Sequence, residues 1–188
     1  MEPLIILIAG LVVFLSLAPV QVPVTADEKA VWLSVAKSFD GVPYKKGGSD
    51  RSGIDCSGLV IKLYHAIGVF LFRYKDIYLF DVSADVLYKY NTVKIDFNDL
   101  QPGDLIFYDL EDDGIIDHVA VFVKRDNNGV WVWDAMDEVD GLIINKVSYR
   151  LAKELFTRHP KFGKPLKVEL PLLMTLKSVI EILSKQGN

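Results

Sequence analysis

Gly53-Ile54-Asp55-Cys56-Ser57-Gly58 carries the single cysteine of a 188-residue chain. Cys56 stands where a polar, glycine-rich loop (45–53) gives way to an apolar-periodic run. Leu59, Val60, Leu63, Tyr64 and Ile67 follow at helical spacing and mark one buried face of a helix over 56–67. Gly68 fits its C-terminal cap. Cys56 is therefore expected in the first turn, where backbone N–H groups lack intrahelical partners and the helix dipole is positive. Both favour thiolate over thiol. Gly53 is expected to let the loop turn sharply, and Gly58 to keep the first turn free of bulk so that a carbonyl can reach the sulfur. The same N–H groups can hold the oxyanion of a tetrahedral intermediate. A structural thiol packed behind a helix start is the alternative. The neighbours Asp50, Arg51, Asp55 and Ser57 argue against an apolar pocket.

Outward from this helix the pattern is α first, then β. Val31, Val35 and Phe39, with Trp32 and Ala36 alongside, predict a helix over 27–39. A short helix is expected over 82–90. The second half changes period. The stretches 104–108, 119–123, 130–133 and 142–147 are rich in Val, Ile, Phe or Trp and bounded by Gly, Asp or Asn, as strands are. Strands in succession without helices between them imply an antiparallel sheet. The fold class is α+β, with N-terminal helices packed on an antiparallel β-sheet. Residues 27–160 are expected to form the domain, followed by an extension over 161–188 with an amphipathic helix at 170–185.

Composition narrows the function. With 51% hydrophobic residues and a formal net charge of −4, the chain can bury one core and lacks the basic footprint of a nucleic-acid binder. Residues 4–20 are apolar except for Ser16, which is short for a membrane span. Pro19 and Pro23 break the run, and Val24-Thr25-Ala26 offers small side chains before Asp27. Glu2, rather than Lys or Arg, precedes it. Residues 1–26 are read as a signal peptide or an N-terminal membrane anchor, so the rest is expected to be exported to the cell envelope, periplasm or exterior. One cysteine cannot form an intramolecular disulfide, so an exported chain that keeps Cys56 needs a chemical reason for it.

A thiol nucleophile needs a base, usually histidine. The chain has three. His65 falls on the helix of Cys56, off its apolar face, and is expected to face solvent. His159 sits in a polar turn. His118 begins the strand His118-Val119-Ala120-Val121-Phe122-Val123, where a rigid element can hold it still. A hairpin centred near Asp126 would place His118 opposite Asp134 and Ala120 opposite Val132. A carboxylate there can fix the imidazole tautomer and stabilise the imidazolium. Asp117 and Asp137 compete for the role, and a one-residue slip would turn Asp134 away.

These residues resemble the NlpC-type family of cell-wall cysteine endopeptidases, which are papain-like. Three blocks carry the resemblance: Val42-Pro43-Tyr44-Lys45-Lys46-Gly47-Gly48 followed by Asp55-Cys56-Ser57-Gly58-Leu59-Val60; Leu100-Gln101-Pro102-Gly103-Asp104-Leu105-Ile106-Phe107; and the His118 strand. The resemblance implies a triad of Cys56, His118 and a polar third member. That third position is usually His, sometimes Asn or Gln, so Asp134 is a departure. It implies that Tyr44 faces the site near the oxyanion, and that Asp55 and Ser57 line the free amino end of the substrate. Arg73 is likewise expected to bind substrate. The Tyr- and Phe-rich stretch after it lacks the glutamine common in the family. The implied substrate is a peptidoglycan stem peptide, cut between D-γ-glutamyl and a diamino acid. An amidase or acyltransferase on the same fold, or a catalytically silent wall-binding module, are the rival readings.

No cofactor or metal is expected. Asp109, Glu111, Asp113, Gly114 and Asp117 mimic the early spacing of a calcium loop, but Ala120 stands where its closing Glu belongs. The aromatics Phe107, Phe122, Trp131 and Trp133 are read as core. The protein is expected to be a monomer.

Overall fold

The computed structural model describes residues 19–139, 141–153 and 159–170. The chain gathers into two units, Pro23–Lys167 and a second made of Met1–Val22 with Val168–Asn188. The expected leader or anchor lies for the most part outside the described residues, and so does the C-terminal amphipathic helix. Among the described residues, no helix is long and apolar enough to cross a membrane.

Helix α1 (Ala26–Ser38) starts at Thr25, whose hydroxyl accepts from the Glu28 N–H while the Glu28 carboxylate returns to the Thr25 N–H. This reciprocal cap satisfies two donors that the helix start would leave unpaired. Its buried face is Lys29, Trp32 and Ala36, and Val31 is 44% exposed. The stripe is thus turned one residue from the expected one. Lys29 accounts for the difference, because its ammonium pairs with the fully buried Asp104. Helix α2 (Cys56–Ala66) buries Leu59, Val60, Leu63 and Tyr64, as expected. It ends with Gly68 at φ +77°, the Gly68 N–H on the His65 carbonyl and the Val69 N–H on the Tyr64 carbonyl. That pair of bonds closes the last turn. Helix α3 (Ala84–Tyr90) is capped by Ser83.

The strands are β1 (Val20–Pro23), β2 (Ser49–Asp50), β3 (Gly53–Ile54), β4 (Phe72–Tyr74), β5 (Ile77–Leu79), β6 (Thr92–Ile95), β7 (Leu105–Tyr108), β8 (His118–Asp126), β9 (Gly129–Val139), β10 (Leu142–Leu151) and β11 (Lys161–Glu169). The central sheet runs β11-β7-β8-β9-β10, with β6 also on β11, and each of these pairs is antiparallel. One face packs Leu105, Phe107, Val119, Val121, Trp133 and Ala135 against the helices. The other buries Ile106, Tyr108, Ala120, Phe122, Val130 and Val132 under Phe97 and Phe162. The aromatics read as core are thereby split between two faces, and Trp131 is only partly buried, stacked on Tyr149.

One sheet strand and one turn depart from the pattern most plainly. Residues 161–169, assigned by sequence to the extension, form β11 and pair with Leu105–Phe107 and Thr92–Ile95. Gly163, Pro165 and three lysines disguise them, since such residues ordinarily mark a strand as weak or absent. The β8–β9 turn is also tighter than expected. Asp126 pairs with Gly129, so Lys124 and Arg125 continue the strand. Lys124 pairs with Asp126 at 2.8 Å and Arg125 lies 3.9 Å over the Phe97 ring.

Candidate active site

Cys56 is the first residue of α2 and is 7% exposed. Asp55 caps that helix. Its Oδ1 accepts from the Gly58 N–H at 2.7 Å and from the Ser57 hydroxyl at 3.1 Å, and its Oδ2 accepts from the Gly47 N–H at 2.8 Å. One side chain thus ties the preceding loop to the helix start. The two glycines serve closer packing than expected. A Cβ on Gly58 would lie 2.4 Å from the Gly48 carbonyl oxygen, and one on Gly53 would lie 2.7 Å from the Lys45 Cβ. Neither has a positive φ, so the requirement is space rather than a sharp turn.

His118 opens β8 and is 4% exposed. Its Nε2 lies 2.9 Å from Asp134 Oδ2, and Cys56 is close enough for its charge to act on the ring. With Nε2 on the carboxylate, Nδ1 is the nitrogen left for sulfur. Burial alone would favour neutral imidazole. The charges of Cys56 and Asp134 outweigh burial and raise the His118 pKa. Asp134 is 1% exposed. Burial pushes its carboxyl upward, but His118 and Arg150 more than compensate and hold it below the ordinary value.

The hairpin register differs from the expected one by two residues. Val121 faces Trp133 and Phe122 faces Val132, which carries Ala120, not His118, to the level of Asp134. A shift of two keeps the face, so His118 meets Asp134 diagonally. The tip register, Asp126↔Gly129, would by itself turn Asp134 to the other face. An irregularity between Phe122 and Lys124 inserts one residue and turns it back.

Tyr44 lies beside Cys56, half-buried on a bridge to Ile54. Burial, then the charges of Cys56, Asp137 and Asp55, push its phenol up to about 12. It keeps its proton and can donate. Tyr44, Cys56, His118, Ile116, Met136 and Asp137 are among the residues lining a cleft of about 460 Å³. An adjoining pocket of about 260 Å³ shares Asp55, Ser57 and Ser83 with it and adds Asp81.

Other expected residues fall elsewhere. Arg73 does not line the cleft. Its N–H is held by Asn91, its Nε donates to the Lys75 carbonyl, and its side chain is exposed. Asp117 accepts from the Leu110 and Glu111 N–H groups, and its carbonyl takes the Cys56 thiol at 3.8 Å, so its carboxylate is not the histidine's partner. Asp137 is exposed and caps the Glu138 N–H. His65 is partly buried against Phe70, with ring centroids 4.9 Å apart, rather than solvent-facing. His159 is exposed. Carboxylate oxygens of Asp109, Asp113 and Asp117 lie within 4.8 Å of one another. Asp109 accepts the Asp113 and Gly114 N–H groups, which with the Asp117 bonds staples the loop.

Arg150, on β10, is a residue that sequence reasoning missed. Its Nε donates to Asp134 Oδ1 at 3.0 Å and its Nη2 to Oδ2 at 2.6 Å. The strand pairing Arg150↔Val132 brings it there. Only the β9–β10 register, which no sequence motif marks, could have pointed to it.

The chain is 38% identical over 87 residues to the murein DD-endopeptidase MepH of Escherichia coli, covering 44% of this chain and 28% of that protein. It is 31% identical over 96 residues to a gamma-D-glutamyl-L-lysine dipeptidyl-peptidase of Bacillus cereus, covering 50% and 26%. The match thus spans little more than a quarter of these curated relatives. Among solved structures, an NlpC/P60 family protein from Bacillus cereus superposes with a TM-score of 0.54 at 22% identity, over 80% of this chain and 42% of the other. A hypothetical invasion protein of Mycobacterium tuberculosis gives 0.53 at 21%, over 75% and 63%. At such identities the likeness establishes the fold, the α+β papain-like arrangement. The sequence model of the NlpC/P60 family matches residues 41–159, more than half of the chain and all three catalytic candidates, so this protein belongs to the NlpC/P60 family.

Proposed function

We propose that the chain is a cysteine endopeptidase that hydrolyses peptidoglycan stem peptides, at a D-γ-glutamyl–diamino acid bond, through a thioester acyl-enzyme. The observation that carries this reading is the buried line Cys56, His118, Asp134 at a cleft, with the sulfur at a helix start and Nε2 2.9 Å from the carboxylate. The substrate class is supported by the relatives named murein DD-endopeptidase and gamma-D-glutamyl-L-lysine dipeptidyl-peptidase. Asp55 and Asp81 give the pocket beside the sulfur a negative character, which suits the free ammonium end of a peptide.

The sulfur of Cys56, as thiolate beside the His118 imidazolium, attacks the amide carbonyl and forms an S–C bond. The carbonyl oxygen takes the charge and is held by the Cys56 N–H and the Tyr44 hydroxyl. The intermediate collapses, the C–N bond breaks, and imidazolium protonates the departing amine. Neutral His118 then removes a proton from water, which attacks the thioester and releases the acid. The thiolate–imidazolium pair is restored. Asp134 holds one tautomer and one ring orientation throughout. The protein is proposed to work in the cell envelope, with the apolar N-terminal segment as leader or anchor.

Mass spectrometry of soluble products from purified sacculi tests the bond. The expected products are stem-peptide fragments with a new diamino-acid amine and intact sugar chains. Freed sugar chains carrying no peptide, or an acylated acceptor, would replace this reading with an amidase or an acyltransferase.

A further inference from the structure

We infer that Arg150 is a positioning residue of the catalytic apparatus, the counter-charge that keeps Asp134 ionised and aimed at His118. The inference rests on the triad reading above. A thiolate, an imidazolium and a carboxylate sum to one uncompensated negative charge, in a site where Cys56, His118 and Asp134 are 7%, 4% and 1% exposed. Such a charge is costly to bury unpaired. The Arg150 side chain, itself 12% exposed, sets one positive charge against it.

Its geometry does more than neutralise. The guanidinium grips both carboxylate oxygens, Nε to Oδ1 at 3.0 Å and Nη2 to Oδ2 at 2.6 Å, a planar fork that a lysine cannot reproduce. Nη2 also lies 3.5 Å from Met136 Sδ. The carboxylate is therefore locked with Oδ2 aimed at His118 Nε2. Among the described residues, the groups facing Asp134 are His118 from β8 and Arg150 from β10. Those facing His118 are Cys56 from α2, Asp134 from β9 and the Tyr108 ring from β7, with centroids 5.8 Å apart. Arg150 keeps Asp134 ionised, and it moderates the pull of that carboxylate on the imidazolium proton, which must leave at each turnover.

The test is Arg150→Gln, read in the protein labelled with ¹⁵N-histidine and in the pH profile of peptide hydrolysis. Without the guanidinium, Asp134 is expected to take up a proton at a pH higher by about one unit or more. The His118 ring shifts then show an inflection that the unsubstituted protein lacks at that pH, and the acid limb of kcat moves with it. Turnover is expected to fall about tenfold or more with a smaller change in KM. Arg150→Lys keeps charge but not the fork, so its inflection stays near the original while kcat still drops. If Arg150→Gln fails to fold, Arg150→Lys is read through kcat alone, and a parental kcat in it would overturn the inference. Adding Asp134→Asn to Arg150→Gln removes both charges and is expected to restore activity above that of Asp134→Asn alone. His118 titration and pH profiles unchanged in both Arg150 variants would overturn the inference alone. An ordinary imidazole titration of His118 in the unsubstituted protein would instead overturn the triad reading beneath it.

Discussion

Gly58→Ala separates local propensity from tertiary packing by the sign of its effect. At an open helical position this change stabilises by about 1 kcal/mol, because glycine has more backbone freedom to lose. Here the added Cβ would sit 2.4 Å from the Gly48 carbonyl oxygen and 3.1 Å from Asp55 Oδ1. Ordinary contact begins near 3.4 Å, so the helix start and the Gly48 loop must part by about 1 Å. Both sides are backbone, and the Gly48 oxygen already accepts the Asp55 N–H at 3.1 Å. Overpacking of this kind costs about 1–3 kcal/mol, and loosening the Asp55 cap costs about 1 more. The sum exceeds the propensity gain, giving a net loss of about 1–3 kcal/mol. Cys56 moves with the helix start, and a displacement of that size lowers turnover about a hundredfold. Urea unfolding, with midpoint and slope compared, reads the first effect, and hydrolysis per folded molecule reads the second. A variant as stable as the parent, with unchanged turnover, would refute the packing argument.

Further outcomes follow from the same geometry. Lys29→Met leaves the buried Asp104 without its cation and is expected to cost about 3–5 kcal/mol in urea unfolding, while hydrolysis per folded molecule is retained. Tyr44→Phe removes a hydroxyl donor beside Cys56 and is expected to lower kcat about tenfold to a thousandfold with KM little changed in steady-state assays. Thermal melts across pH are expected to give a dome. The raised pKa of His118 means that its contribution is full below the unfolded value of ~6.5 and is lost as pH rises through the native value. The lowered pKa of Asp134 means that its contribution is full above ~3.9 and is lost as pH falls through the native value.

The sequence exposes the parts of the site that lie within single elements. The Cys56 helix start, its Gly68 cap and the His118 strand are local patterns, and α2 and the start of β8 sit where periodicity puts them. What depends on pairing between elements is less legible. Asp134 meets His118 only because an irregularity near Val123 corrects the face that the Asp126↔Gly129 tip would impose. Arg150 reaches Asp134 through a strand register that no composition signal encodes. Residues 161–169 pair in the sheet despite a Gly-, Pro- and Lys-containing sequence, since burial on a neighbouring strand overrides propensity. Gly58 was readable as necessary, but its reason, the Gly48 carbonyl packed against it, belongs to the fold.

Cys56 stands at the centre of the proposed chemistry as its nucleophile. Its most direct test is Cys56→Ala assayed on the same sacculi as the parent, with circular dichroism and urea unfolding to establish an equivalent fold. Unchanged folding and a loss of hydrolysis of about a thousandfold or more are expected. Hydrolysis at the parental rate by the folded Cys56→Ala protein would contradict that role.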